Sequence, residues 1–99
     1  MRNNKTYIIC SAIHFINDTI SPHQPKNIDK GIVICGRRHH NIYSTLASLG
    51  LERLDFTNNI QGFLTNDDKF VNREEAAIIA KDAGQIKDKV IKLFSEDLY

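Results

Sequence analysis

The sequence predicts an α+β fold, a small and mostly antiparallel sheet with two helices, in a single domain over residues 1–99. Three observations carry that expectation. β-branched and aromatic residues concentrate in two early runs, residues 6–16 and 32–35. Two later segments place apolar residues at helical spacing. Turn-forming residues separate these segments at short intervals.

The first run, TYIICSAIHFI at 6–16, reads as a strand. NDTI at 17–20 reads as a turn opening a short hairpin. SPHQPKNIDKG at 21–31 holds both prolines of the chain and is expected as an exposed loop. IVIC at 32–35 is a continuous apolar run between two glycines, which fits a buried strand. From His39 to Leu49 the residues Ile42, Leu46 and Leu49 fall at helical spacing, with Gly50 as a C-terminal stop. LERLDFTNN at 51–59 fits an irregular link and an edge strand equally. IQGFLTNDDKFV at 60–71 reads as two short strands around Asn66-Asp67-Asp68. The second helix has the clearest start: Asn72 caps it, Glu75 answers as the capping-box partner, and Gly84 ends it. Its apolar stripe of Ala76, Ile79, Ala80 and Ala83 is narrow, which suits close packing against a sheet or another subunit. The tail KDKVIKLFSEDLY alternates loosely and ends in an acidic-aromatic turn.

Bulk composition narrows the function classes. A chain of 99 residues supports one core with little to spare. Its 41% hydrophobic and 25% charged residues are ordinary for a globular protein. A formal charge of +1 argues against a coat for nucleic-acid polymers, while leaving room for a local basic pocket. The apolar runs are too short for a membrane span or a signal peptide, so a cytoplasmic location is expected. Cys10 and Cys35 lie in strand-like runs without CxxC spacing and read as buried, reduced thiols; a disulfide between them requires the two strands to be neighbours.

Two stretches stand out chemically. In GRRHHN, Gly36 lets a strand exit tightly toward a helix N-terminus, whose free N–H groups favour anions. Arg37 and Arg38 add planar donors that match phosphate oxygens. His39, His40 and Asn41 follow as further polar contacts for phosphate, ribose or base. From residue types alone, an anion site and a solvated loop fit equally. Adjacent histidines point in different directions on a helix, so a shared metal is not expected. His14, inside an apolar strand, reads as a hydrogen-bonded structural residue. In QGFLTNDDKFVNREEA, Phe63 and Phe70 read as core residues in a chain without tryptophan. Arg73 opens a helix, where a positive charge opposes the dipole, and that conflict points to a partner for it.

Catalytic signatures fail. The segment REEAAIIAKDAG superficially resembles the acidic helix of Nudix hydrolases, but Ala77, Ile78 and Lys81 stand at required arginine and glutamate positions. Ser11, Ser21, Ser44, Ser48 and Ser95 lack a GxSxG setting. The residues read as a binder of a small nucleotide, with arginines on its phosphates and an aromatic or arginine plane against its base.

The ordered motifs GRRHHN, QGFLTNDDKFVNREEAAIIAKDAGQI and SEDLY resemble small proteins of bacteriophages and prophages, and among characterised families the Thoeris anti-defence sponges. That resemblance covers residues 31–99. It implies a protein that sequesters cyclic ADP-ribose isomers, and in some members cyclic oligonucleotides of CBASS defence, without cleaving them. It further implies a small antiparallel sheet with two helices, no cofactor, dimers or hexamers with pockets at subunit interfaces, and action inside the infected bacterial cell. Carried over, Arg37, Arg38 and His39 become phosphate or ribose contacts, and Phe63, Phe70 and Arg73 become base and phosphate contacts. One departure is Asn72, where the family-like pattern has aspartate; the helix cap survives, and the local charge differs. Competing readings are a cyclic-nucleotide phosphodiesterase using His39 and His40, and a protein-interaction module contacting its partner through SEDLY.

Overall fold

The computed structural model describes residues 5–16, 20, 24–48 and 58–98. Along the chain run β1 (Ile8–Phe15), β2 (Ile32–Gly36), α1 (His39–Ser48), β3 (Asn59–Thr65), β4 (Phe70–Asn72), α2 (Arg73–Asp82) and the single turn α3 (Ser95–Leu98). The strands form one four-stranded sheet, order β2-β1-β3-β4, antiparallel at every pairing. The expected α+β architecture is therefore present, with a one-turn third helix in place of the expected acidic-aromatic turn. The expected turn at 17–20 falls mostly outside the described residues, as do the stop at Gly50 and the segment 51–57.

β1 is central, and its side chains alternate between two environments. Ser11, Ile13 and Phe15 are buried on the face that carries the helices, where Ile13 and Phe15 pack with Ile42 and Leu46 of α1. The register slips between Ile8 and Cys10 on β1, against Thr65 and Leu64 of β3. This bulge returns Ile8 to the helix face, where it joins Phe63, Val71, Leu93 and the α2 alanines. Ile9, at the slip, is half-exposed.

α2 begins as expected. The Asn72 side chain accepts from the Glu75 N–H at 2.8 Å, and the Glu75 carboxylate accepts from the Asn72 N–H at 3.1 Å. Such a box contributes about 1 kcal/mol. The helix ends with Gly84 at φ +76°, where the Gly84 N–H donates to Lys81 O and the Gln85 N–H donates to Ala80 O. Both orphan carbonyls are satisfied in the manner of a Schellman motif. Ala76, Ala77 and Ala80 are essentially inaccessible, so the small-residue stripe lets the helix lie close to β3 and β4.

On the opposite face the Phe70 ring lies across Gly62, and a Cβ at Gly62 would collide with the Val71 carbonyl and the Phe70 ring. His14 meets the Phe70 ring edge-on at 5.7 Å and hydrogen-bonds Lys30 O through Nε2, the structural role expected of it. The loop before β2 is less exposed than its composition suggests, with Pro25 buried. The reason is a set of side-chain amides that complete the sheet. Asn27 donates to Phe70 O and accepts from the Phe70 N–H, Gln85 does the same for Ile8, and Gln24 accepts from the Val33 N–H.

The cysteines depart from expectation in one respect. Both are free, but Cys35 is exposed and Cys10 half-buried. Cys35 lies opposite Ala12 on the face of the sheet without helices, so no second layer covers it.

Candidate functional site

The start of α1 lies over the centre of the sheet, and this fixes His39. Gly36 ends β2, two residues turn, and the helix opens with His39 packed edge-on against Phe63 at 5.2 Å. His39 is 7% exposed. Its Nε2 faces the Gly62 carbonyl at 2.8 Å, an acceptor only, so Nε2 carries the proton. Nδ1 is then left to accept, from Ser95 Oγ at 2.8 Å and from the Arg73 guanidinium at 3.4 Å. Ser95 Oγ in turn meets Ser11 Oγ at 2.7 Å, and Ser11 reaches the Arg37 carbonyl at 3.0 Å. Burial holds the His39 imidazole below its ordinary pKa; the Arg73 charge adds to this, against the Gly62 carbonyl and Glu96, which favour the protonated ring.

Arg73 comes from the first turn of α2 and is half-buried. Its guanidinium donates to Leu93 O at 2.8 Å and to the Gln61 side-chain oxygen, while its own carbonyl accepts from the Leu93 N–H at 2.9 Å. The plane sits 4.5 Å from the centre of the Phe94 ring, which is half-exposed. Burial weighs against the Arg73 charge, and Glu96 offsets part of that. The helix-dipole conflict seen in the sequence thus resolves through contacts with the tail and β3. Gln61 continues the network by donating to Tyr43 OH at 3.2 Å, and Tyr43 donates to Asn59 at 3.4 Å.

These groups line a pocket of about 260 Å³, walled by His39, His40 and Tyr43 of α1, Gln61 of β3, Arg73 of α2, and Phe94, Ser95 and Glu96 of the tail. Two clefts along α2 and the segment after it are somewhat larger, about 310 and 330 Å³, but their walls are mainly lysine, aspartate and aliphatic residues, with Gln85 of the first occupied in pairing with the Ile8 backbone. Among the described residues no group of three or more His, Cys, Asp or Glu side chains could hold a metal ion.

Of the residues singled out from the sequence, His39, His40 and Arg73 meet in this pocket. Arg37, Arg38 and Asn41 do not line it; Arg37 contributes its carbonyl to Ser11, and Asn41 donates its N–H to Arg38 O at the helix start. Phe63 lies beneath His39 with no exposure, and Phe70 packs on the other face of the sheet, so both stand in the core as their residue types suggested. Sequence reasoning missed Gln61, Tyr43, Phe94 and Ser95. The available signal was SEDLY, whose serine is the group brought against His39.

All three ordered motifs therefore supply walls of one pocket within a single chain. A profile of the phage T4 y16D protein family matches residues 7–99. The chain belongs to that family. It is a phage protein family, and the match spans every element of the pocket. No curated protein and no solved structure matches the chain. Among the described residues, no helix is long and apolar enough to cross a membrane.

Proposed function

We propose that this phage-family protein binds and sequesters a small cyclic nucleotide signal, a cyclic ADP-ribose isomer or a cyclic oligonucleotide, and releases it uncleaved. The observation that carries the reading is the convergence of Arg73, His39, His40 and Phe94 on one half-open pocket. Arg73 supplies guanidinium donors suited to phosphate. Phe94, beneath that guanidinium at 4.5 Å, supplies an aromatic face for a base. His40 and Glu96 are exposed at the rim, where they can reach ribose hydroxyls.

The same geometry favours binding over the phosphodiesterase alternative. A general base needs a ring nitrogen directed at the substrate. Both nitrogens of His39 are already engaged, by Gly62 and by Ser95 with Arg73, which leaves only His40 free to act. The volume favours an assembly: about 260 Å³ lies below the roughly 300–1,000 Å³ of typical small-molecule sites. A second subunit closing over the pocket would complete it, in line with a dimer or hexamer. Glu96 and Phe94 stay available to a protein partner in the interaction-module reading.

The test is thermal melting of the purified protein with glycocyclic ADP-ribose isomers and with cyclic di- and trinucleotides. Ligand at a hundred times its dissociation constant stabilises by about 2.7 kcal/mol, a readily visible shift. Heat-released ligand of unchanged mass is the expected result. A linear product would replace the sponge with the enzyme reading, and no shift with any compound would remove the nucleotide altogether.

A further inference from the structure

The face of the sheet without helices carries a feature unrelated to the pocket. Cys35 stands opposite Ala12 in the β1–β2 pairing, and Cys10 lies two residues before Ala12 on the same strand, so both thiols project from one face as diagonal neighbours. Their closeness pushes the Cys10 pKa up and the Cys35 pKa down. Cys35 is exposed and approachable, whereas Cys10 is half-buried beside it. The pairing therefore gives one accessible thiol with a second thiol directly behind it.

We propose that Cys10 and Cys35 form a thiol-exchange site, in which Cys35 attacks a low-molecular-weight disulfide such as glutathione disulfide and Cys10 resolves the adduct. In the first step the Cys35 thiolate displaces one glutathione thiolate and forms a protein–glutathione disulfide. In the second, Cys10 gives up its proton and its sulfur attacks Cys35 Sγ, breaking the mixed disulfide and releasing the second glutathione. Two protein thiols are oxidised to one cross-strand disulfide, one small disulfide is reduced to two thiols, and the two protons end on the released glutathiones.

The division of roles follows from exposure. Cys35 is the exposed member of the pair, so its sulfur meets the small disulfide first and is the nucleophile; the neighbouring Cys10 thiol lowers the Cys35 pKa and is itself raised. A diagonal pair lies about 7–8 Å apart, beyond the usual disulfide span, so closure must draw β1 and β2 together and the product is easily reduced. A reversible link is thus expected rather than a permanent staple. It would join the strand bearing Ser11 to the strand that delivers His39, on the face of the sheet opposite the pocket.

The experiment is intact-mass measurement of the purified, reduced protein after incubation with glutathione disulfide. The expected wild-type product is lighter by about 2 Da, with the bond mapped to Cys10 and Cys35 by peptide analysis. The Cys10→Ser variant should stop at the mixed disulfide, heavier by about 305 Da, and the Cys35→Ser variant should react far more slowly. A wild-type chain that remains reduced, accumulates the glutathione adduct, or links to a second copy would overturn the proposal.

Discussion

His39 and Ser95 are 56 residues apart in the chain, yet Nδ1 of one lies 2.8 Å from Oγ of the other. Both are buried, so the contact works in a medium where a lost partner is expensive. It joins the opening of α1 to α3 and orients the ring that floors the pocket. Ser95→Ala strips His39 Nδ1 of its serine and leaves Ser11 with one partner fewer. The expected cost is about 1–3 kcal/mol, read from urea denaturation. Ser95→Thr, which keeps the hydroxyl, should recover part of it; equal losses in the two variants would show that packing alone matters here.

Arg73 serves fold and pocket together. Arg73→Lys preserves the charge but cannot bond Leu93 O and Gln61 at once while also lying over the Phe94 ring. Lysine should therefore rescue little of the roughly 2 kcal/mol lost in Arg73→Ala, measured by chemical denaturation.

Phe94→Ala separates binding from stability. The ring is half-exposed and touches the guanidinium face, so its removal costs about 0.5–1 kcal/mol of stability. If the ring stacks on a base, nucleotide affinity measured by calorimetry should fall by about tenfold or more.

The His39 imidazole gives a pH dependence with a definite sign. Its folded pKa lies below the ordinary value of 6.5, so the unfolded chain takes up the proton first as pH falls. Stability from this group is complete above about pH 6.5 and declines as pH drops toward the lower folded pKa. Melting temperature followed from pH 7.5 to 5.5 should fall more steeply for the wild type than for His39→Gln. Parallel curves would assign the acid sensitivity to other groups.

Gly62→Ala should be among the most damaging single-methyl changes in the chain. The added Cβ meets the Val71 carbonyl and the Phe70 ring, backbone and packed aromatic rather than a flexible side chain. A loss of about 3 kcal/mol is expected, read from urea denaturation. A variant as stable as the wild type would show that β4 can move away from β3.

Much of the fold was legible because local chemistry agreed with global placement. The β-branched runs became β1 and β2, and the Asn72–Glu75 capping box and Gly84 bounded α2 as read. The pocket was legible only through its charged members. Arg73 announced itself by opposing the helix dipole, and His39 and His40 by standing in a basic junction between a strand and a helix. Gln61, Tyr43 and Ser95 are unremarkable polar residues whose roles arise from contacts across the sheet. Arg37 and Arg38 do not line this pocket, and composition marks a helix entrance as basic without telling which of its side chains share one cavity. The exposure of Cys35 likewise depended on which sheet face lacked helices, a choice made by the packing of α1 and α2 and not by the strand itself.

The bulge in β1 has a consequence for how the chain tolerates changes in length. Strand alternation is a parity rule: adding or removing one residue exchanges the inward and outward sets beyond that point. At Ile9 the rule is already broken, since two steps along β1 match one step along β3. Deleting Ile9 would restore a regular ladder and leave Ile8 and Ser11 facing the helices as before. Deleting Ala12 would instead turn part of the strand inside out. Single-residue deletions along β1 should therefore divide sharply, with Ile9 the position where a shorter strand keeps the same core.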